Sequence, residues 1–238
     1  MKKILVTALL FFSFSLFAQS AKKSVMVDFI LGKAQVLKSG SFSYKELTKN
    51  ILLNEGDNIR TGKNATVRLM DEKGNQYLLS SNTTLNFASL KDNLTEIQIF
   101  TGSSEFNVIK GKNFIVKAPT LAAGVRGTLF RVSANQSGTD QIVVYEGKVE
   151  VTSLLKPDEK PIILEGGKKF ESNPVDKTIG ASAAVIASEE ELRFQLAEGL
   201  PIKKSFKPLQ DQQMKEAVPI MEDKKLTEAT QKPQEQKE

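Results

Sequence analysis

Two glycine-bracketed turns hold the residues best suited to chemistry. In one, Arg126 stands between Gly124 and Gly127, ahead of Thr128, in a run otherwise made of Leu121, Ala122, Ala123 and Val125. A guanidinium in so apolar a stretch needs a carboxylate or several carbonyl oxygens around it. It would serve either as a structural clamp, pinning its turn to an acid such as Asp57 or to backbone oxygens, or as the contact for a ligand; the clamp is the simpler reading. In the other turn, Gly56, Asp57 and Gly62 flank the brief extended piece Asn58-Ile59-Arg60-Thr61.

Most other chemistry is excluded by composition. The chain has no histidine and no cysteine, which removes the usual nucleophile and base pairs, common zinc sites, disulfides and thiol chemistry. Carboxylate pairs remain, and a carboxylate-dependent glycan hydrolase is the one enzymatic option left. Yet Asp57, Asp71, Glu72, Glu105, Asp140, Glu146 and Glu150 fall mostly in turns or on alternating polar faces, where a solvated surface role is expected. Gly102-Ser103-Ser104 and Gly166-Gly167-Lys168 lack phosphate-loop spacing, and no calcium-loop spacing of acids occurs. The expectation is a protein without catalysis, metal or cofactor.

The elements that must position these turns are strands. Met26–Ile30, Ala34–Leu37, Val67–Met70 and Gln76–Leu79 alternate or read as apolar strand runs, with a glycine-containing hairpin loop over Asp71–Asn75. Leu85, Phe87, Ile97 and Ile99 keep the period of two. Phe114-Ile115-Val116 forms a strand that halts at Pro119, and alternation restarts over Leu129–Val132, so Pro119 to Thr128 reads as a pause containing a sharp glycine turn. Ile142–Tyr145 and Val149–Val151 follow, on either side of Gly147, and Gly166-Gly167 opens a last turn before Phe170. The recurrence of glycine ahead of alternating residues, near Gly32, Gly102 and Gly147, hints at a repeated unit. The fold class is all-β: a compact antiparallel or mixed β sandwich, or a short β-helix-like core, over residues 25–175.

The ends differ in character. Lys2 and Lys3 followed by an apolar block from Ile4 to Phe17 and small or polar residues Ala18–Ala21 form the three-part layout of a secretory signal over residues 1–21. The block is short for a membrane span, which needs roughly 20 apolar residues. The mature chain is expected to start near Gln19 or Lys22, in the periplasm, with no lipid anchor on a thiol and no further span. Near the other end, Ser188-Glu189-Glu190-Glu191 is a capping box, and Leu192, Leu196, Gly199 and Pro201 continue and stop a helix, expected over 181–200. Residues 203–238 are Lys-, Gln-, Glu- and Pro-rich and expected to be disordered. The net charge of +5 is spread through mixed-sign segments, and with no tryptophan and three tyrosines it supports no nucleic-acid partner, only attraction to anionic envelope polymers.

In order along the chain, Gly56-Asp57-x-Ile59-x-Thr61-Gly62, Leu69 with its hairpin, Thr83-x-Leu85, Phe114-x-Val116-x-Ala118-Pro119, Gly124-Val125-Arg126-Gly127-Thr128-x-Phe130-x-Val132 and Glu146-Gly147-Lys148-Val149-x-Val151 resemble the FecR domain, from about Val36 to Phe170. The resemblance implies a β domain that, in the best-known members, is the periplasmic part of an inner-membrane regulator. That regulator relays occupancy of an iron-siderophore transporter to a sigma factor. Only Met1, Lys2 and Lys3 precede the apolar block, so no cytoplasmic anti-sigma segment is expected. The expected function is that of an exported binding or scaffold module, contacting an envelope protein or an anionic envelope polymer. An anchored signalling protein linked to iron-uptake sensing is the alternative.

Overall fold

The computed structural model describes residues 23–111, 113–135, 137–172 and 185–188. Among them the chain is entirely β, with no helix long and apolar enough to cross a membrane. In chain order the strands are β1 (Val25–Leu31), β2 (Ala34–Leu37), β3 (Lys45–Glu46), β4 (Leu52–Leu53), β5 (Asn58–Thr61), β6 (Thr66–Asp71), β7 (Gln76–Leu79), β8 (Thr84–Leu90) and β9 (Leu94–Val108). There follow β10 (Asn113–Lys117), β11 (Leu121–Val125), β12 (Thr128–Ala134), β13 (Asp140–Glu146), β14 (Lys148–Ser153), β15 (Ile162–Glu165), β16 (Lys168–Glu171) and β17 (Val185–Ile186).

These strands build two sheets that share β9 and close on one core. Sheet A runs β4-β1-β6-β7-β9-β12-β13-β16-β17. Sheet B runs β3-β2-β5-β8-β9-β10-β11-β14-β15. The pairings are antiparallel except β9 with β10, which is parallel, so the architecture is mixed.

The strand β9 explains how one chain serves both layers. Its first half pairs with β8 in sheet B and its second half with β7 and β12 in sheet A. The bend falls at Gly102, whose φ is +88° and where a Cβ would stand 2.5 Å from Thr83 Cα and 2.7 Å from Asn82 O. Only glycine fits such a crossing. The sequence reads Gly102 as a break before a new strand; continuous pairing on both flanks carries the strand through it.

Alternation fills the core. Val67 and Leu69 of β6, Tyr77 and Leu79 of β7, Phe106 of β9, Phe130 and Val132 of β12 and Ile142 and Val144 of β13 all point inward. Phe106 and Phe130 stack at 5.1 Å, and Tyr77 and Phe114 complete the aromatic centre at 5.6 Å. Truncating such a ring to alanine costs about 3–5 kcal/mol.

Two expectations change. Leu121–Val125 is a strand, with β10 on one side and β14 on the other, so Gly124 lies opposite Ile115 and Glu150 inside the sheet and not in a turn. Alanine and glycine are weak strand formers, and here pairing on both edges outweighs local preference. Of the helix expected over 181–200, the structure describes only 185–188, and there Val185 and Ile186 pair with β16 as a strand. The rest of that helix, the leader and the tail lie outside the described residues.

Candidate functional site

Arg126 occupies the corner at which the chain passes from β11 in sheet B to β12 in sheet A. Its flanks Val125 and Thr128 are buried and Arg126 itself is exposed. The apolar neighbours in sequence point into the core, and the corner turns the guanidinium outward. Arg126 Nη2 donates to Asn113 Oδ1 at 3.1 Å. It is therefore no buried clamp. Gly127 makes the corner with φ +69°, where a Cβ would stand 3.2 Å from Lys110 Cα. Thr128 secures it by donating from Oγ1 to Lys148 O at 2.9 Å.

Asp57 belongs to a different cluster. It is 2% exposed and accepts hydrogen bonds from Lys38 Nζ at 2.8 Å, Ser39 N at 2.9 Å and Asn54 N at 2.9 Å. Gly56 lies against Ser39 beside it, and Gly62 donates its amide to Lys33 O at 2.8 Å. The clamp expected from Arg126 to Asp57 is made by Lys38, because the two glycine turns sit on separate loops. Asp57, Gly56 and Gly62 thus hold the fold.

Beside the Arg126 corner opens a cleft of about 420 Å³ lined by Lys73, Asn75, Val108, Ile109, Lys110 and Asn113, among others. Its wall is anchored. Asn75 Oδ1 accepts from Ile109 N at 2.7 Å, and Asn75 Nδ2 donates to Asp71 Oδ2 at 2.7 Å. That carboxylate also accepts from Tyr77 OH at 2.8 Å, and burial, reinforced by the Asp71 charge, pushes the Tyr77 phenol well above its ordinary pKa. Ile109 is 49% exposed at the mouth, and no carboxylate lines the cleft among the described residues. With Lys73 and Lys110 in its lining and Arg126 bonded to Asn113 beside it, it suits an acidic ligand that also offers apolar surface. A second cleft, of about 480 Å³, mixes Lys33 and Arg60 with Glu46, and Arg60 is engaged by Gln35 Oε1 at 2.7 Å and by the Tyr44 ring at 3.9 Å.

Ion pairs that spacing along the chain does not announce stand on sheet A. Arg68 Nε donates to Asp28 Oδ2 at 2.8 Å, both side chains being buried. Arg131 donates to Glu105 Oε1 through Nη2 at 2.6 Å and Nε at 3.2 Å, with Tyr145 OH at 3.4 Å. Burial, then the charge of Glu105, raises the Tyr145 phenol. Glu105, expected on a solvated surface, is 1% exposed. The period of two did place it opposite the core-facing Phe106; that its face is dry was not readable from spacing.

Neither larger cleft brings two carboxylates together, and among the described residues no group of three or more acids is placed to hold a metal. The arrangement offers recognition by charge and shape and no acid and base pair.

Residues 57–150 match the model of the FecR protein family, a span from the buried Asp57 into β14 that takes in the Arg126 corner. No match is found among curated proteins. A crystal structure of a candidate anti-sigma factor from Parabacteroides distasonis ATCC 8503 is 21% identical with a TM-score of 0.50, covering 60% of this chain and 66% of that one. A second crystal structure, also of a candidate anti-sigma factor from that organism, is 22% identical with a TM-score of 0.44, over 49% of this chain and 54% of that one. This chain thus spans less than two thirds of either. Residues 57–150 of this chain, the Arg126 corner included, are thus similar to the FecR protein family.

Proposed function

We propose that this chain is a non-catalytic binding module of the periplasm that docks an acidic, partly apolar surface of an envelope protein at the Arg126 corner. The observation that carries the reading is the cleft in which Lys73 and Lys110 border the exposed Ile109, with Arg126 at its side and no acid among its described lining residues. A surface that combines cations with an exposed aliphatic side chain fits a partner. The test is capture from envelope extracts with the mature protein as bait, compared with Arg126→Ala and Lys110→Ala. A retained protein lost from both variants, and released by salt, is the expected result. Retention of a polymer alone would move the assignment to an anionic envelope glycan, and equal capture by all three baits would overturn the site.

A second reading, an anchored signalling protein tied to iron-uptake sensing, is supported by the fold shared with a candidate anti-sigma factor. The N-terminal mass of the protein recovered from cells separates the two. A start near residues 19–22 removes the anchored form.

A further inference from the structure

The face of sheet A turned away from the core carries one continuous row of side chains. Arg68 stands opposite Leu78, Leu78 opposite Glu105, Glu105 opposite Arg131, Arg131 opposite Val143 and Val143 opposite Lys169. Met26, Met70 and Gln76 form the row beside it. None of these belongs to the core cluster, which takes their alternating neighbours Val67, Leu69, Tyr77 and Phe106.

An outer face open to water would leave such side chains wet, yet this one is dry. Met70 and Leu78 are 2% exposed, Val143 and Glu105 1%, and Arg68 5%. Every described strand is already placed in sheet A or sheet B, so none remains to stack on this face. Arg68 Nη1 and Gln76 Oε1 are buried there with no hydrogen-bond partner among the described residues. Apolar side chains, a buried ion pair and unmatched polar atoms together on one surface mean that the surface is made to be covered.

We propose that the cover is this chain's own segment 189–202, laid across the outer face of sheet A from the β17 edge towards β9. The described chain ends at the right place: β17 is the outermost strand of sheet A beyond β16, and Ala187 N bonds Gly167 O just before Ser188. The length is sufficient. From β17 to β9 there are four strand spacings, roughly 19 Å, and fourteen helical residues extend about 21 Å. The chemistry matches as well. Glu189, Glu190 and Glu191 enter on the side of the face that holds Lys169, and Leu192 and Leu196, one helical turn apart, supply apolar surface over Val143.

The absence of cysteine gives a clean test on the full mature chain: Gln195→Cys carries a single spin label. Amide signals of Leu78, Glu105, Arg131 and Val143 should broaden and those of Gln35, Arg60 and Gln98 in sheet B should not. Broadening absent from sheet A, or present only when a labelled chain is mixed with a separate isotope-labelled copy, would overturn the assignment, the latter in favour of a second copy. Leu192→Glu combined with Leu196→Glu in the labelled chain should abolish the broadening; its persistence with an intact sheet B spectrum would equally overturn it. The inference stands apart from the Arg126 corner, since neither outcome alters that cleft.

Discussion

Thr120 donates both its backbone amide and its hydroxyl to one carboxylate oxygen of Asp140, each at 2.6 Å. Thr120 lies in the loop between β10 and β11 of sheet B, and Asp140 opens β13 of sheet A, so this pair of bonds joins the two layers. It does so at the edge where the chain makes hairpins within each sheet; at the opposite edge of this half of the fold the corners at Gly127, Gly147 and Gly167 cross between sheets covalently. Ser172 Oγ accepts from Asp140 N at 2.8 Å, completing a buried polar seam.

Asp140→Ala should therefore cost about 3–5 kcal/mol, because it strands the Thr120 donors in a dry environment. Urea unfolding measures it. Asp140→Asn, which keeps an acceptor in place, should fall between the two; an alanine variant as stable as the parent would show that the seam does not couple the sheets.

Gly127→Val should lower stability by about 2–3 kcal/mol, since a β-branched residue is forced into the left-handed region against Lys110. Lys148→Ala should leave the thermal midpoint where it was. Its ion pair with Glu165 at 2.7 Å is exposed on both sides, and water screens what the pair gains. Equal midpoints for the two variants would mean that the corner has slack.

These corners and seams differ in how far they can be read from spacing. Val67, Leu69, Tyr77 and Leu79 announce their strands because inward residues recur at the sheet's own period. Leu121–Val125 does not, because Ala122, Ala123 and Gly124 have no strand preference of their own and are held by β10 and β14, distant in sequence. Arg126 misleads for a related reason: apolar neighbours suggest burial, and a corner residue between two inward-facing positions points out. Asp28 and Arg68, 40 residues apart, leave no local trace of their pairing. Sequence period assigns Glu105 to the outer face, but whether that face is wet depends on what lies over it.

Alkaline pH should destabilise the protein through Tyr77 and Tyr145, both raised in the fold, first by burial and then by a neighbouring carboxylate. Below about pH 10 both states hold the phenol proton and neither residue contributes a pH dependence. Above it the unfolded chain loses that proton first, and stability falls by up to about 1.4 kcal/mol per pH unit for the fully buried Tyr77. The half-buried Tyr145 should contribute less. Tyr77→Phe should flatten the decline in unfolding free energy above that pH, at a cost of about 1 kcal/mol at neutral pH for the lost bond to Asp71. An unchanged alkaline slope in that variant would place the titration elsewhere.

Arg68 and Arg126 provide the sharpest contrast. Arg68 and Asp28 are both buried and bonded to one another, so Arg68→Ala leaves a carboxylate in a dry site and should cost about 3–5 kcal/mol. Replacing both partners together, Asp28→Leu with Arg68→Met, should recover most of that loss, because the expense lies in the orphaned charge and not in the pair. Arg126→Ala removes one exposed hydrogen bond to Asn113 and should shift stability by less than about 0.5 kcal/mol. A protein that loses as much stability at Arg126 as at Arg68 would return the clamp to the glycine corner and withdraw its role in binding; one that loses none, while envelope capture fails, leaves Arg126 to recognition alone.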